Sequence, residues 1–199
     1  MNYYWLLSSS ENKVWKKYII FRYEFLYNNE DIKIKKIVES KNNIILENLY
    51  IQALREGGNV EKEQSFFEKQ KLVNFIKVDV NYLIKEDVFE EKLFENINGS
   101  KYFTVKIDGN FISTYKLLIF ENTIDCINYN KSKISDFPVL SKMVLNNVKI
   151  PKNIDGFYLS NWDKYNPPCI ISEKLKNTLE KIEKATEILI FDKIEISNE

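Results

Sequence analysis

A strand that passes directly into a helix is encoded at residues 167–182, and this step constrains the fold more than any other part of the chain. The two prolines at 167 and 168 cannot extend a helix backwards, and the apolar run at 169–171 suits a short strand. Ser172 is a favourable N-cap, with Glu173 against the positive end of the helix. Apolar residues then recur at helical spacing at Leu175, Leu179 and Ile182. With an apolar closing run at 188–191, the pattern predicts strand, helix, strand.

Alternation of apolar and polar residues predicts strands through most of the remaining chain. The candidate strands are residues 3–7, 17–27, 32–38, 44–51, 72–84, 102–107, 111–120 and 124–128. Asp108-Gly109 is a strong two-residue turn signal that joins two of these strands as a hairpin. The aromatic face of residues 17–27 has two interpretations, a packed sheet face, which is much the commoner, or a platform for base stacking.

A helix is predicted at residues 86–96, and a mobile loop is predicted at residues 55–70 around the glycine pair Gly57-Gly58. Together these elements predict an α+β fold with mixed, mostly antiparallel sheets and a few short helices, including a C-terminal helix between two strands. We expect a single domain that divides into two lobes, an N-terminal strand meander at 1–54 and a C-terminal lobe at 71–199, joined by the loop.

The residues that are missing exclude several kinds of chemistry. The 199 residues include no histidine, so the usual neutral-pH base, the Ser-His and Cys-His nucleophile pairs and most zinc sites are absent. The 29 basic and 29 acidic residues balance, which gives no general attraction to nucleic acid or anionic membrane. Gly57-Gly58 lacks the neighbours of a phosphate-binding loop. We therefore expect no catalytic residues, no metal or cofactor, and neither nucleic acid nor membrane as a partner.

Cys126 and Cys169 are the only cysteines, and each lies in an apolar run. Buried reduced thiols are the ordinary interpretation, and a disulfide or a reactive thiol is the alternative. Reduced thiols suit the cytoplasm. The start of the chain lacks the features of a signal peptide, and no apolar run reaches the roughly 20 residues of a membrane span. The sequence thus predicts a cytoplasmic protein and leaves its oligomeric state open.

Two stretches carry candidate partner-binding residues. Glu86, Glu90 and Glu91 lie on the polar stripe of the predicted helix and could dock a basic partner protein. Asp87 and Glu91, four residues apart, could also share a divalent cation, although a solvated helix face is the ordinary explanation.

The second stretch is the polar loop at 160–166, which carries aromatic residues where a loop is expected. Trp162, Asp163 and Tyr165 are its candidate contact residues. The alternative is that Trp162 folds back over the core, because a single loop tryptophan is usually partly buried.

Residues 115–196 carry a resemblance to a known family. The motifs concerned are Tyr115-Lys116-Leu117-Leu118, Ile124-Asp125-Cys126-Ile127-Asn128, Lys131-Ser132, the run 140–145, Phe157-Tyr158-Leu159, the step at 170–176 and Ile190-Phe191. In these motifs the chain resembles a bacterial family first catalogued as a domain of unknown function, whose members are described as immunity proteins of polymorphic toxin systems. Asn128 stands where that family often has an acid, and Ala185-Thr186-Glu187 replaces its usual glycine.

The resemblance implies an α+β protein without enzymatic activity that binds and neutralises a cognate toxin by protein–protein contact. Two alternatives stay open on the residues alone. One is an interaction module of a mobile element or phage with another protein partner. The other, less favoured, is an enzyme that uses carboxylates and tyrosines, with Asp125, Asp155 or Glu91 in its site.

Overall fold

The computed structural model describes residues 3–9, 21–27, 30–31, 50–55, 74–78, 81–108, 113–134, 140–161, 167–183 and 185–198. The chain divides into two compact units. Unit 1 comprises Met1–Ser10, Glu90–Lys101 and Phe120–Glu199, and unit 2 comprises Glu11–Phe89 and Tyr102–Ile119. The architecture is α+β, with mostly antiparallel sheets and a few short helices, which confirms the predicted fold class.

Fifteen strands and three short α-helices are present in the described residues. The strands are β1 (Tyr4–Ser9), β2 (Phe21–Tyr27), β3 (Glu30–Asp31), β4 (Tyr50–Arg55), β5 (Phe75–Val78), β6 (Asn81–Lys85), β7 (Ser100–Asp108), β8 (Ser113–Phe120), β9 (Thr123–Ile124), β10 (Lys133–Ile134), β11 (Leu140–Lys142), β12 (Val144–Asn146), β13 (Gly156–Leu159), β14 (Cys169–Ser172) and β15 (Leu189–Ser197). The helices are α1 (Glu91–Phe94), α2 (Glu173–Leu179) and α3 (Ala185–Ile188). Short 3-10 turns occupy Glu86–Val88 and Asn147–Lys149.

Unit 1 is organised around a six-stranded sheet in the order β12-β15-β1-β14-β13-β9. The predicted strand, helix, strand step is confirmed as β14, α2 and β15. Between its two strands lies β1, antiparallel to both, with Tyr4 opposite Ser172 on one side and opposite Ile194 on the other. The N-terminal strand therefore completes the backbone pairing of the C-terminal step, and both ends of the chain depend on each other for their hydrogen bonds.

One face of this sheet is covered by the described residues of the chain between β9 and β13. Side chains alternate along β1, so Tyr4 and Leu6 face this segment, and Tyr4 meets Phe157 edge to face at 6.1 Å between ring centroids. The buried cluster consists of Tyr4, Cys126, Ile127, Leu145, Ile150, Ile154, Phe157, Leu159, Ile170 and Ile194. Each large apolar side chain buried in this way stabilises the fold by about 1.5–3 kcal/mol before the entropy of ordering is counted.

Helix α2 packs on the opposite face of the sheet. The Ser172 hydroxyl caps it by accepting a hydrogen bond from the Leu175 backbone N–H at 3.2 Å, as the sequence predicts. The three predicted core positions of the helical pattern are buried: Leu175, Leu179 and Ile182. The Trp5 indole donates to the Glu173 carboxylate at 2.7 Å, which ties the first turn of the helix to β1.

Unit 2 contains a seven-stranded sheet in the order β3-β2-β4-β7-β8-β6-β5. In a flat sheet, five strand spacings of about 4.8 Å would put β2 roughly 24 Å from β5. Cα atoms of the two strands nevertheless approach within 8 Å, so the sheet curls strongly on itself. The consecutive residues Leu117, Leu118 and Ile119 of β8 are all buried, as expected for a strand covered on both faces.

Several strand predictions are confirmed in unit 2. β5 and β6 fill the range predicted at 72–84, β2 lies within 17–27, and β7 and β8 are the neighbouring strands of the predicted hairpin. The turn residues 109–112, the candidate strand 32–38 and most of the predicted loop at 55–70 lie outside the described residues. The division into lobes at that loop therefore stays a prediction.

The continuous helix predicted at 86–96 is wrong. Between the 3-10 turn and α1, Phe89 (φ −89°, ψ 115°) and Glu90 (φ −102°, ψ 104°) are extended. On an α-helix, Phe89 and Phe94 would point roughly 140° apart around the axis. The extended break allows both rings to be buried, with Phe89 packed on Tyr102 at 4.9 Å between centroids. Side-chain burial therefore overrides the helical pattern here.

The strand predicted at 124–128 is much shorter than expected. Only Thr123–Ile124 forms a strand, β9, which pairs in parallel with β13. Further along, Ile127 makes an isolated antiparallel bridge with Leu145. The residues between them leave the sheet edge so that Cys126 and Ile127 enter the buried cluster.

In the part of the chain that the structure describes, no helix combines the length and the apolar character needed to cross a membrane.

Candidate functional site

The three acidic candidates near residue 90 are exposed but do not share a helix. Glu86 belongs to unit 2, where its carboxylate lies 3.3 Å from the Lys116 ammonium. Glu90 and Glu91 belong to unit 1, at the extended break and in the first turn of α1. Their role in partner binding stays a prediction.

The sequence offered Asp87 and Glu91 as two carboxylates that could share a divalent cation. Such a site would require both residues on one face of a continuous helix. Because the helix is interrupted between them, this expectation is wrong. Asp87 instead pairs with Lys85, with 2.6 Å between the ammonium and the carboxylate. No group of three or more acidic or cysteine side chains in the described ranges is arranged to hold a metal ion.

The loop candidates Trp162, Asp163 and Tyr165 lie outside the described residues. They stay candidates on sequence grounds alone.

Asp155 is a candidate for carboxylate chemistry. Its side chain accepts hydrogen bonds within a buried network. Its side chain is 11% exposed, and one oxygen accepts from the Ser172 hydroxyl at 2.7 Å. The other accepts from the Asn98 backbone N–H at 2.9 Å and from the Lys174 ammonium at 3.3 Å. The Asp155 backbone pairs with the same segments, through Asn98 and Ser172 at 2.9 and 2.8 Å. This carboxylate thus joins the turn after α1, the entry to β13 and the cap of α2.

Both cysteines are free and buried, which confirms the interpretation as reduced core thiols. Burial, with a smaller contribution from the Asp125 charge, raises the pKa of the Cys126 thiol from 9.0 to about 12. A thiol held in this way is unreactive at neutral pH.

The raised pKa of Cys126 predicts a specific loss of stability in alkali. Because the folded-state pKa exceeds the unfolded one, the stabilising effect is complete below pH 9 and is lost as the pH rises towards 12. Relative to neutral pH, the free energy of unfolding should fall by about 2 kcal/mol near pH 10.5 because of this thiol. Urea unfolding of wild type and Cys126→Ala at both pH values measures it.

The Cys126→Ala variant controls for the titration of every other group, because it lacks only the thiol. Burial also raises the pKa of Tyr158, and this residue is present in both proteins, so only the difference between the two pH dependences reports on the thiol. Equal slopes for the two proteins would contradict the assignment.

Two turns of unit 1 present exposed apolar side chains. Val148 is 75% exposed on the 3-10 turn Asn147–Lys149, and Tyr129 is 48% exposed on the turn after Ile127. Single exposed apolar residues are normal, but the segments that carry these two are joined, because the Asn146 backbone N–H donates to the Cys126 carbonyl at 2.7 Å and the Asn128 N–H donates to the Val144 carbonyl at 2.9 Å. Tyr129 reaches back to hydrogen-bond Asp125, and an isolated antiparallel bridge pairs Ile127 with Leu145 between the two turns.

We call Asp125, Tyr129, Val148 and Lys149 the turn surface. Partial desolvation, then the charge and the hydrogen bond of Asp125, raise the pKa of Tyr129, so its hydroxyl stays protonated at neutral pH. The Asp125 carboxylate accepts the hydrogen bond that this hydroxyl donates. The charges of both Asp125 and Lys149 act on Cys126, which lies beneath the surface.

Side-chain caps hold both turns of this surface in place. Asn146 caps the 3-10 turn by accepting from the Val148 backbone N–H at 3.0 Å. Asn128 accepts from the Lys131 backbone N–H at 3.2 Å and donates to Ser197 at 3.3 Å. The apolar side chains are therefore presented on turns fixed to the sheet.

Sequence reasoning missed this surface. The sequence does indicate the two turns, because an asparagine precedes each of them, at 128 and 146. An asparagine side chain at such a position accepts hydrogen bonds from backbone N–H groups of the turn. What the sequence could not indicate was exposure, because Val148 lies between the apolar residues Leu145 and Ile150, both of which are buried.

A second set of partly exposed aromatic rings is already paired within the chain. The Lys193 ammonium lies 3.8 Å from the ring centroid of Tyr3, and the Lys176 ammonium lies 4.7 Å from that of Trp5. The Trp5 indole N–H is bonded to Glu173. These contacts satisfy the rings internally, which makes the turn surface the stronger candidate for contact with another molecule.

No protein-family model matches this sequence, and the search of curated proteins gave no match.

Proposed function

We propose that this chain is a non-enzymatic immunity protein that binds and neutralises a cognate bacterial toxin in the cytoplasm by protein–protein contact. The turn surface is the observation that carries the proposal. Val148 is 75% exposed on a capped turn and Tyr129 is 48% exposed on a turn hydrogen-bonded to the same segment, so a partner could bury two apolar side chains at one place in the fold. Burial of such a side chain under a partner stabilises a complex by about 1.5–3 kcal/mol.

The construction of the turn surface favours a tight complex. Binding energy is concentrated in a few anchor side chains, among which tyrosine is enriched, and surrounding contacts exclude water from them. The caps by Asn128 and Asn146 order both turns before a partner arrives. Less conformational entropy is then lost on association.

The described carboxylates favour binding over chemistry. Asp155 is saturated by structural donors, and Asp125 is occupied by the Tyr129 hydroxyl. The motifs at 115–196 that resemble immunity proteins lie mainly on core strands and the capped helix, and these elements build the scaffold of unit 1.

The test is neutralisation of a defined toxin domain. We would co-express the full chain with the C-terminal domain of any large secreted protein that a neighbouring reading frame encodes, and measure growth and co-purification. The expected result is rescue of growth with formation of a stable complex. Rescue without a complex, or turnover of a small molecule by the purified chain, would overturn the proposal.

Val148→Ala should weaken that complex by about tenfold, because it removes most of the anchor from the turn surface. Ile190→Ala is the matched control, since Ile190 is also an exposed aliphatic side chain of unit 1 (39%) but lies at the far end of β15 from Ser197. Tyr129→Phe separates the ring from the hydroxyl. Calorimetry of the complex and thermal melting of the free chain together distinguish lost contact from lost folding, and equal weakening by the two alanine variants would contradict this assignment.

A further inference from the structure

The charge around the turn surface is strongly unbalanced in a chain that is neutral as a whole. Residues 125–153 contain five lysines and two aspartates, with no glutamate or arginine, which gives this stretch a net charge of +3. All five lysines are exposed: Lys131, Lys133, Lys142, Lys149 and Lys152. The remainder of the chain must then carry −3, so the stretch that contains the turn surface is more basic than the rest of the sequence.

Two of these lysines are available to a partner. Lys142 pairs with Glu195 at 2.7 Å, and Lys131 bonds the Ser197 hydroxyl at 3.1 Å. By contrast, Lys149 and Lys152 form no ion pair with any of the described residues. Lys149 directly follows Val148, so one turn presents an apolar tip with an unpaired ammonium beside it.

We infer that the partner docks on the turn surface through an acidic protein surface with an apolar recess, in which carboxylates meet Lys149 and Lys152 while Val148 and Tyr129 fill the recess. This inference rests on the proposed function and names the chemistry of the partner. Unlike charges on the two surfaces raise the association rate and fix the register of docking.

A protein partner explains the surface better than a nucleic acid does. Nucleic-acid sites combine several phosphate-binding cations with aromatic rings that stack on bases, and arginine is the group best suited to phosphate. Residues 125–153 contain no arginine, and of the two exposed apolar side chains of the turn surface only Tyr129 has a ring that could stack on a base, since Val148 has none.

A random-peptide display library, selected on the full-length chain, tests this inference without the toxin. The expected result is enrichment of peptides that combine Asp or Glu with large apolar residues. Their affinity should fall on the order of tenfold for Lys149→Glu combined with Lys152→Glu, and less for Lys149→Gln. The matched control is Lys92→Glu combined with Lys181→Glu, which reverses two exposed lysines elsewhere in unit 1 and should leave affinity unchanged.

Three outcomes would overturn the inference: selected peptides without an excess of acidic residues, equal affinity for the charge-reversed and wild-type chains, or competition for the same surface by short single-stranded DNA. Because the selection uses no toxin, its result can be read even where neutralisation fails. A failure of the proposed function and a failure of this inference are therefore separate results.

Discussion

Replacing Gly156 by alanine is expected to destabilise the protein by about 3 kcal/mol or more, which is at the upper end for an overpacked core. A Cβ atom on Gly156 would lie 2.2 Å from Cε1 and 2.4 Å from Cδ1 of Phe120. Such distances are far inside van der Waals contact, so either the ring or strand β13 must move.

The Phe120 ring has little freedom to move away. Phe120 is 1% exposed and packs on Tyr158 at 5.5 Å between centroids, edge to face. Its backbone N–H donates to the Tyr158 hydroxyl at 3.4 Å, so ring and backbone are held by the same neighbour. The backbone of Gly156 does not have a positive φ, so the expected cost comes from packing and not from conformational strain.

The measurement is urea unfolding of wild type, Gly156→Ala, Phe120→Leu and the double variant. In the Phe120→Leu background the glycine change should cost much less, since the smaller side chain leaves room for the new methyl group. A melting temperature lower by roughly 10 °C is expected for Gly156→Ala alone. Additive effects of the two substitutions would contradict the clash.

The parts of the fold that the sequence predicts are those set by local signals. The step from β14 to α2 depends on two prolines, a short apolar run and Ser172, all adjacent in sequence, and each has its expected role. The strands β2, β5, β6 and β7 fall in ranges that local sequence patterns predict, and β8 combines such a pattern with a continuous apolar run at its end. The N-terminal strand β1 is likewise predicted, since residues 3–7 form an aromatic and apolar run.

Long-range packing decides the features that the sequence does not predict. The helix expected at 86–96 breaks because Phe89 and Phe94 are both buried. On one continuous helix the two side chains would point in different directions, and they could not both be buried. The short parallel pairing of β9 with β13 joins residues more than thirty positions apart. Val148 reads as a core residue and is exposed, since the segment around it places Ile150 and Leu145 inward instead.

Loss of the Asp155 carboxylate is the second large effect that we expect. Asp155→Ala should lower the free energy of unfolding by about 3–5 kcal/mol, because it leaves the Ser172 hydroxyl and the Asn98 backbone N–H without their acceptor in a mostly buried site. Asp155→Asn keeps one acceptor oxygen and should cost less. Lys174→Met removes the ion pair with Asp155 and a hydrogen bond to the Asn96 carbonyl, both made by a side chain that is 51% exposed, so it should cost below about 1 kcal/mol.

The order of these three variants distinguishes a structural carboxylate from a reactive one. If hydrogen bonds to Ser172 and Asn98 are what matter, chemical unfolding should rank Asp155→Ala as the most destabilised, Asp155→Asn next and Lys174→Met nearly equal to wild type. The capped start of α2 and the turn after α1 should lose amide-exchange protection together, because Asp155 joins them. A catalytic carboxylate would give the opposite pattern, in which Asp155→Asn keeps full stability and a measurable activity disappears.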